Sequence, residues 1–140
     1  MSKVAVVYWS GTGNTETMAE CVEAGAKDAG ADVSRFEASQ FKADMMDDYD
    51  IIAFGCPSMG DEALEDTEFE PMFADCKSKL SGKKIALFGS YGWGDGEWMR
   101  EWEKACVADG ATLVSESVIC CEVPDGEAEQ ACKDLGKALA

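Results

Sequence analysis

Apolar positions along the chain fall into short unbroken runs, separated by stretches of helical period. Val4-Ala5-Val6-Val7, Ile51-Ile52-Ala53-Phe54 and Ile85-Ala86-Leu87-Phe88 contain no polar break. Such runs suit strands buried on both faces, as in a parallel sheet covered by helices. Between them Met18, Cys21, Val22 and Gly25 recur at i, i+3, i+4 and i+7. Trp98, Trp102 and Ala105 mark a second helical face, and Ala128, Ala131, Cys132 and Leu135 a third. The pattern predicts strands over 3–8, 32–37, 50–56, 84–89 and 112–118, the last extended toward Val123. It predicts helices over 15–29, 39–46, 70–79, 98–109 and 127–139. Thr12 or Asn14 is placed to cap the first helix, Gly30 and Gly110 to end two of them, and Pro57 to stop the third strand.

Strands alternating with helices throughout imply an α/β fold, with one domain over residues 1–140 and a five-stranded parallel sheet between two helical layers, a three-layer sandwich. Right-handed crossovers leave few strand orders. The order 2-1-3-4-5 brings the loops after strands one, three and four to one carboxyl edge. It puts the ligand crevice at the switch point between strands one and three.

Chemistry concentrates in those loops. Ser10-Gly11-Thr12-Gly13-Asn14-Thr15 joins the first strand to the first helix. Its backbone N–H groups and the hydroxyls of Ser10, Thr12 and Thr15 can converge on an anion at a helix N-terminus. No lysine or arginine lies in or beside the loop, the nearest being Lys3. A triphosphate-binding G-x-x-x-x-G-K-[ST] loop is therefore absent, and Glu16 stands where a dinucleotide fingerprint needs its third glycine. Neutral donors alone suit one monophosphate. The other two loops, around Met59-Gly60-Asp61-Glu62 and Tyr91-Gly92-Trp93-Gly94, each set a large apolar side chain beside glycine at an exposed tip. A planar aromatic ligand between Met59 and Trp93 would bury both. A monophosphate pocket and an aromatic slot along one edge match the shape of a flavin mononucleotide. Trp98 and Trp102, at helical spacing, read instead as core.

The segments Tyr8-Trp9-Ser10-Gly11-Thr12-Gly13-Asn14-Thr15-Glu16, Met59-Gly60-Asp61-Glu62 and Ala86-Leu87-Phe88-Gly89-Ser90-Tyr91-Gly92-Trp93-Gly94-Asp95-Gly96 resemble the flavodoxins of the short-chain kind. The resemblance covers essentially the whole chain and implies FMN as the cofactor. It implies that the first segment holds the phosphate, that Met59 and Trp93 flank the ring, and that Glu62 meets the flavin N3–H. It further implies that the Gly60 peptide turns over on reduction. The implied cofactor-binding set is Trp9, Ser10, Gly11, Thr12, Gly13, Asn14 and Thr15, then Pro57, Ser58, Met59, Gly60, Asp61 and Glu62, then Ser90, Tyr91, Gly92, Trp93, Gly94 and Asp95. Pro57-Ser58 departs from the family, where small non-proline residues are familiar. Proline supplies no N–H there.

Composition narrows the function further. The chain carries 28 acidic and 12 basic residues, a formal charge of −16, which excludes nucleic acid as a partner. No apolar run approaches a membrane span and no signal peptide opens the chain, so a cytoplasmic monomer is expected. Seven cysteines with no C-x-x-C pair, and no histidine, argue against a metal site and for a reducing compartment. Cys120-Cys121 is the only adjacent pair, and its side chains point to opposite faces of a strand. A phosphorylation receiver of the same topology would need acids where Tyr8-Trp9 and Cys56-Pro57 stand. Asp61, Glu62, Glu65, Asp66, Glu68 and Glu70 are expected to crowd one side of the slot and to disfavour an anionic reduced flavin. With no nucleophile–base pair in view, the expected function is a low-potential one-electron carrier, not an enzyme. It would hold FMN non-covalently and dock transiently on redox proteins through its acidic flavin edge. The alternative is an FMN-dependent reductase acting on a small acceptor.

Overall fold

The computed structural model describes residues 2–11, 13–59, 64–92 and 96–140. The strands are β1 (Lys3–Tyr8), β2 (Asp32–Glu37), β3 (Ile51–Gly55), β4 (Lys84–Tyr91), β5 (Thr112–Leu113) and β6 (Val118–Cys121). The helices are α1 (Asn14–Asp28), α2 (Phe69–Cys76), α3 (Glu97–Ala108) and α4 (Gly126–Leu139). All strands pair in parallel, in the order β2-β1-β3-β4-β5, with β6 also on β4.

Alternate residues of each central strand feed opposite cores, as the two-residue period requires. Ala5, Val7, Ile52, Phe54, Ile85 and Leu87 pack with Phe69, Phe73, Trp98 and Trp102 of α2 and α3. Val4, Val6, Ala53, Ala86 and Phe88 pack with Met18, Val22, Cys132 and Leu135 of α1 and α4. Trp98 and Trp102 are buried core residues, as their spacing implies. The α1–α4 crossing depends on two glycines. A Cβ on Gly136 would stand 2.1 Å from the Val22 carbonyl oxygen, and one on Gly25 would stand 2.0 Å from that of Lys133.

Four expectations about the elements need correction. The fifth strand is interrupted: Thr112 pairs with Lys84 and Val118 with Phe88, so it spends two residues more than β4 over the same span. The polar run Ser115-Glu116-Ser117 leaves the ladder there, and the Ser117 hydroxyl donates to Glu103 instead (2.7 Å). The helix expected over 39–46 is two 3-10 turns, Ala38–Gln40 and Ala43–Asp48. Between them Phe41 and Lys42 are extended, because the Phe41 ring is drawn into the core against Phe36 and Phe54. Ser90 and Tyr91 belong to β4, not to the loop after it. Asn14 begins α1 without capping it. Gly13 holds the cap position at φ 94° with no side-chain acceptor, and Thr12 lies outside the described residues.

Candidate flavin site

The carboxyl ends of β1, β3 and β4 meet in a cavity of about 270 Å³. It is lined by Trp9, Gly11 and Asn14 of the first loop, Pro57, Ser58 and Met59 of the second, and Ser90, Tyr91 and Gly92 of the third, with Glu122. The topology thus unites the loops that the sequence singled out. Gly60, Asp61, Glu62, Trp93, Gly94 and Asp95, all expected at the site, lie outside the described residues, as does Thr12.

The first loop is shaped around the start of α1. The left-handed backbone of Gly13 turns the chain into the helix. Its N–H donates to Ser10 Oγ (3.1 Å), and its carbonyl accepts the first helical bond from Thr17 N–H (3.0 Å). The N–H groups of Asn14, Thr15 and Glu16 therefore precede the first intrahelical donor, and among the described residues no capping side chain occupies them. Ser10 Oγ accepts from Gly13, so its own proton is free to be donated outward. Thr15 is buried, and its hydroxyl lies 3.0 Å from that of Ser90, also buried. One of the two donates to the other, which leaves one O–H for a ligand. Ser90, expected in the loop after the fourth strand, thus also backs the first loop. Gly11 lies beneath the Trp9 indole, where a Cβ would meet the ring at 2.9 Å.

The second loop offers fewer donors than a glycine-rich strip would. Cys56 N–H is committed to Phe88 O (3.1 Å) and Ser58 N–H to Ser90 O (2.9 Å), while Pro57 has none. Met59 is 39% exposed, which is high for its type and fits a side chain waiting for a partner. The Cys56 carbonyl accepts from Trp98 Nε1 (3.3 Å), and the Trp98 ring touches Tyr91 (5.4 Å between centroids), which ties α3 to the cavity wall. Burial pushes the Cys56 thiol up to about 12, so it is inert at neutral pH.

The acidic run after Met59 divides in a way its sequence does not show. Asp66, Glu68 and Glu70 are exposed, and Glu68 accepts from Trp9 Nε1 (3.4 Å). Glu65, expected with its acidic neighbours to crowd one side of the slot, is 4% exposed. Its carboxylate accepts from the N–H groups of Thr67 (2.8 Å), Glu68 (2.7 Å) and Phe69 (2.8 Å), and from the Thr67 hydroxyl. Burial alone would raise its pKa, but these hydrogen bonds outweigh burial and hold it below the usual carboxylate range. Glu65 is an internal anchor for the start of α2, not part of a surface field. Glu122 is the site residue that sequence reasoning missed. No motif marks it, and its place on the rim follows only from the β4–β6 register.

A family model described as Flavodoxin matches residues 6–136. The chain belongs to the flavodoxin family. It is 50% identical to the flavodoxin of Megasphaera elsdenii over 137 residues, 98% of each chain. It is 49% identical to that of Clostridium beijerinckii over 135 residues, 96% of this chain and 97% of the relative. The solution structure of two-electron reduced Megasphaera elsdenii flavodoxin superposes with a TM-score of 0.90 at 50% identity, covering 97% of both chains. As a flavodoxin it is an electron-transfer protein with FMN as its cofactor and other redox proteins as its partners. Among the described residues no helix is long and apolar enough to cross a membrane.

Proposed function

We propose that the cavity at the β1–β3 switch point holds FMN non-covalently, with its phosphate at the N-terminus of α1 and its ring system toward Met59. The reading rests on one observation: α1 opens into the cavity with first-turn N–H groups that no described side chain claims, hydroxyl donors beside them, and no cation among the described lining residues. That donor set fits a single phosphate monoester and offers nothing to balance a longer chain of phosphates. The phosphate falls to Ser10, Gly11, Thr12, Gly13, Asn14 and Thr15. Ser90 supports Thr15, and Trp9 covers the loop. For the ring we assign Pro57, Ser58 and Met59 to one wall and Tyr91 and Gly92 to another, and on the family pattern alone Gly60, Asp61, Glu62, Trp93, Gly94 and Asp95 are assigned to ring binding.

Bound FMN supplies the redox chemistry, accepting and releasing electrons; the chain binds it, orients it and sets the surrounding charge. With a formal charge of −16 the protein presents an acidic surface to oxidoreductase partners. Its contacts there are brief and steered by charge, and the carrier works as a one-domain monomer in the cytoplasm at low potential. The test is a visible spectrum of the purified protein before and after dithionite, with the released flavin then identified. A yellow protein that bleaches on reduction and releases FMN on denaturation supports the reading. A protein that is colourless as purified, and retains no flavin after mixing with FMN and gel filtration, refutes it.

A further inference from the structure

We propose that Glu122 tunes the redox preference of the flavin site: a left-handed backbone corner holds the residue on the cavity rim, where its charge weakens binding of reduced FMN relative to oxidised FMN. The proposal rests on FMN occupying that cavity. Glu122 is the only non-glycine described with positive φ, at 60°; the other left-handed positions are Gly13, Gly30, Gly82, Gly96 and Gly110. The chain thus has glycine at every other left-handed corner described, and a bulky side chain only here. L residues rarely adopt this conformation, and where they do the strain clusters at functional sites.

The corner is held from outside. Glu122 N–H donates to Tyr91 O (2.7 Å), one residue beyond the Tyr91–Cys121 pair that ends the β4–β6 ladder. Buried Pro124 follows two residues later. Tyr91 and Glu122 both line the cavity. Glu122 is also the only charged residue among its described lining residues. A carboxylate there, with no cation among the described lining residues, acts on any negative charge gained by the ligand. Because Glu122 is solvent-exposed, the effect is modest and screened by salt.

The experiment compares wild type, Glu122→Gln, Glu122→Gly and Thr15→Val. Apoprotein melting, FMN affinity by fluorescence quenching, and the two-electron midpoint potential are measured at low and high salt. Glu122→Gln keeps the corner and removes the charge. Apo melting should be unchanged, while the preference for reduced over oxidised FMN rises roughly threefold, as expected of one charge acting through a surface dielectric. That is about 14 mV in the midpoint. The difference from wild type should shrink at high salt. Glu122→Gly should show the same potential shift and, with the strain relieved, a higher apo melting temperature. Midpoints unchanged in both variants, or shifts insensitive to salt, would overturn the proposal. Thr15→Val separates the underlying reading: FMN affinity unaffected by that change means that the cavity is not the flavin site, whatever Glu122 does.

Discussion

Replacing Glu65 with glutamine isolates the buried anchor at the start of α2. The carboxylate takes three backbone N–H donors and one hydroxyl, while the Glu65 carbonyl accepts from Glu70 N–H (2.8 Å) and its N–H donates to Cys56 Sγ (3.4 Å). Glutamine has the same length, but it turns one acceptor into an NH₂ that faces donors. Hydrogen bonds to a charged group contribute about 1.5–3 kcal/mol each in mutational series. Several are weakened together, and relief of the buried charge offsets part of the loss. The expected cost is about 2–3 kcal/mol at neutral pH, a large share of the roughly 5–15 kcal/mol that holds a domain together. The folded carboxyl titrates below its unfolded value, so its stabilisation is present above the usual glutamate pKa of about 4.3. It is lost as pH falls through the lower, folded value. Urea unfolding of apoprotein should therefore show the full difference between wild type and Glu65→Gln at pH 7, and a shrinking one under acid. A difference below about 0.5 kcal/mol at pH 7, within the range of an ordinary surface change, would refute the reasoning. So would a difference that does not depend on pH.

Other substitutions test the frame around the cavity. Gly136→Ala forces a methyl group onto the Val22 carbonyl at the α1–α4 crossing and should cost about 3 kcal/mol or more by chemical denaturation. Gly89→Ala would set a Cβ 2.2 Å from the Cys56 carbonyl oxygen, the acceptor for Trp98. It should lower both thermal stability and FMN affinity, and retention of both would contradict the geometry. Thiol titration with a disulfide reagent should find Cys121, which is exposed, reacting first. Cys56, Cys106 and Cys132, each pushed up to about 12 by burial, should react only on unfolding.

The layers and strand order were legible because they depend on period. Unbroken apolar runs and helical spacing report how many faces of an element are buried, and handedness does the rest. The turn from β1 into α1 was legible because glycine and hydroxyl residues between an apolar run and a helical period mark a strand-to-helix loop. What sequence missed depended on long-range register. Nothing local distinguishes Glu65 from its acidic neighbours Asp66 and Glu68; its burial comes from the way the chain folds back over Cys56. Glu122 reaches the rim because the fifth strand gains two residues against β4, and no propensity records such a shift. Asn14 looked like a cap, but the backbone freedom of Gly13 moved the helix start ahead of it.

The central claim is that a neutral cradle at the start of α1 holds the phosphate of FMN. Calorimetric titration of the apoprotein with FMN and with riboflavin, which lacks only the phosphate, tests it directly. Several charge-assisted hydrogen bonds predict FMN binding at least about a hundredfold tighter. Equal affinities for the two flavins would contradict the account.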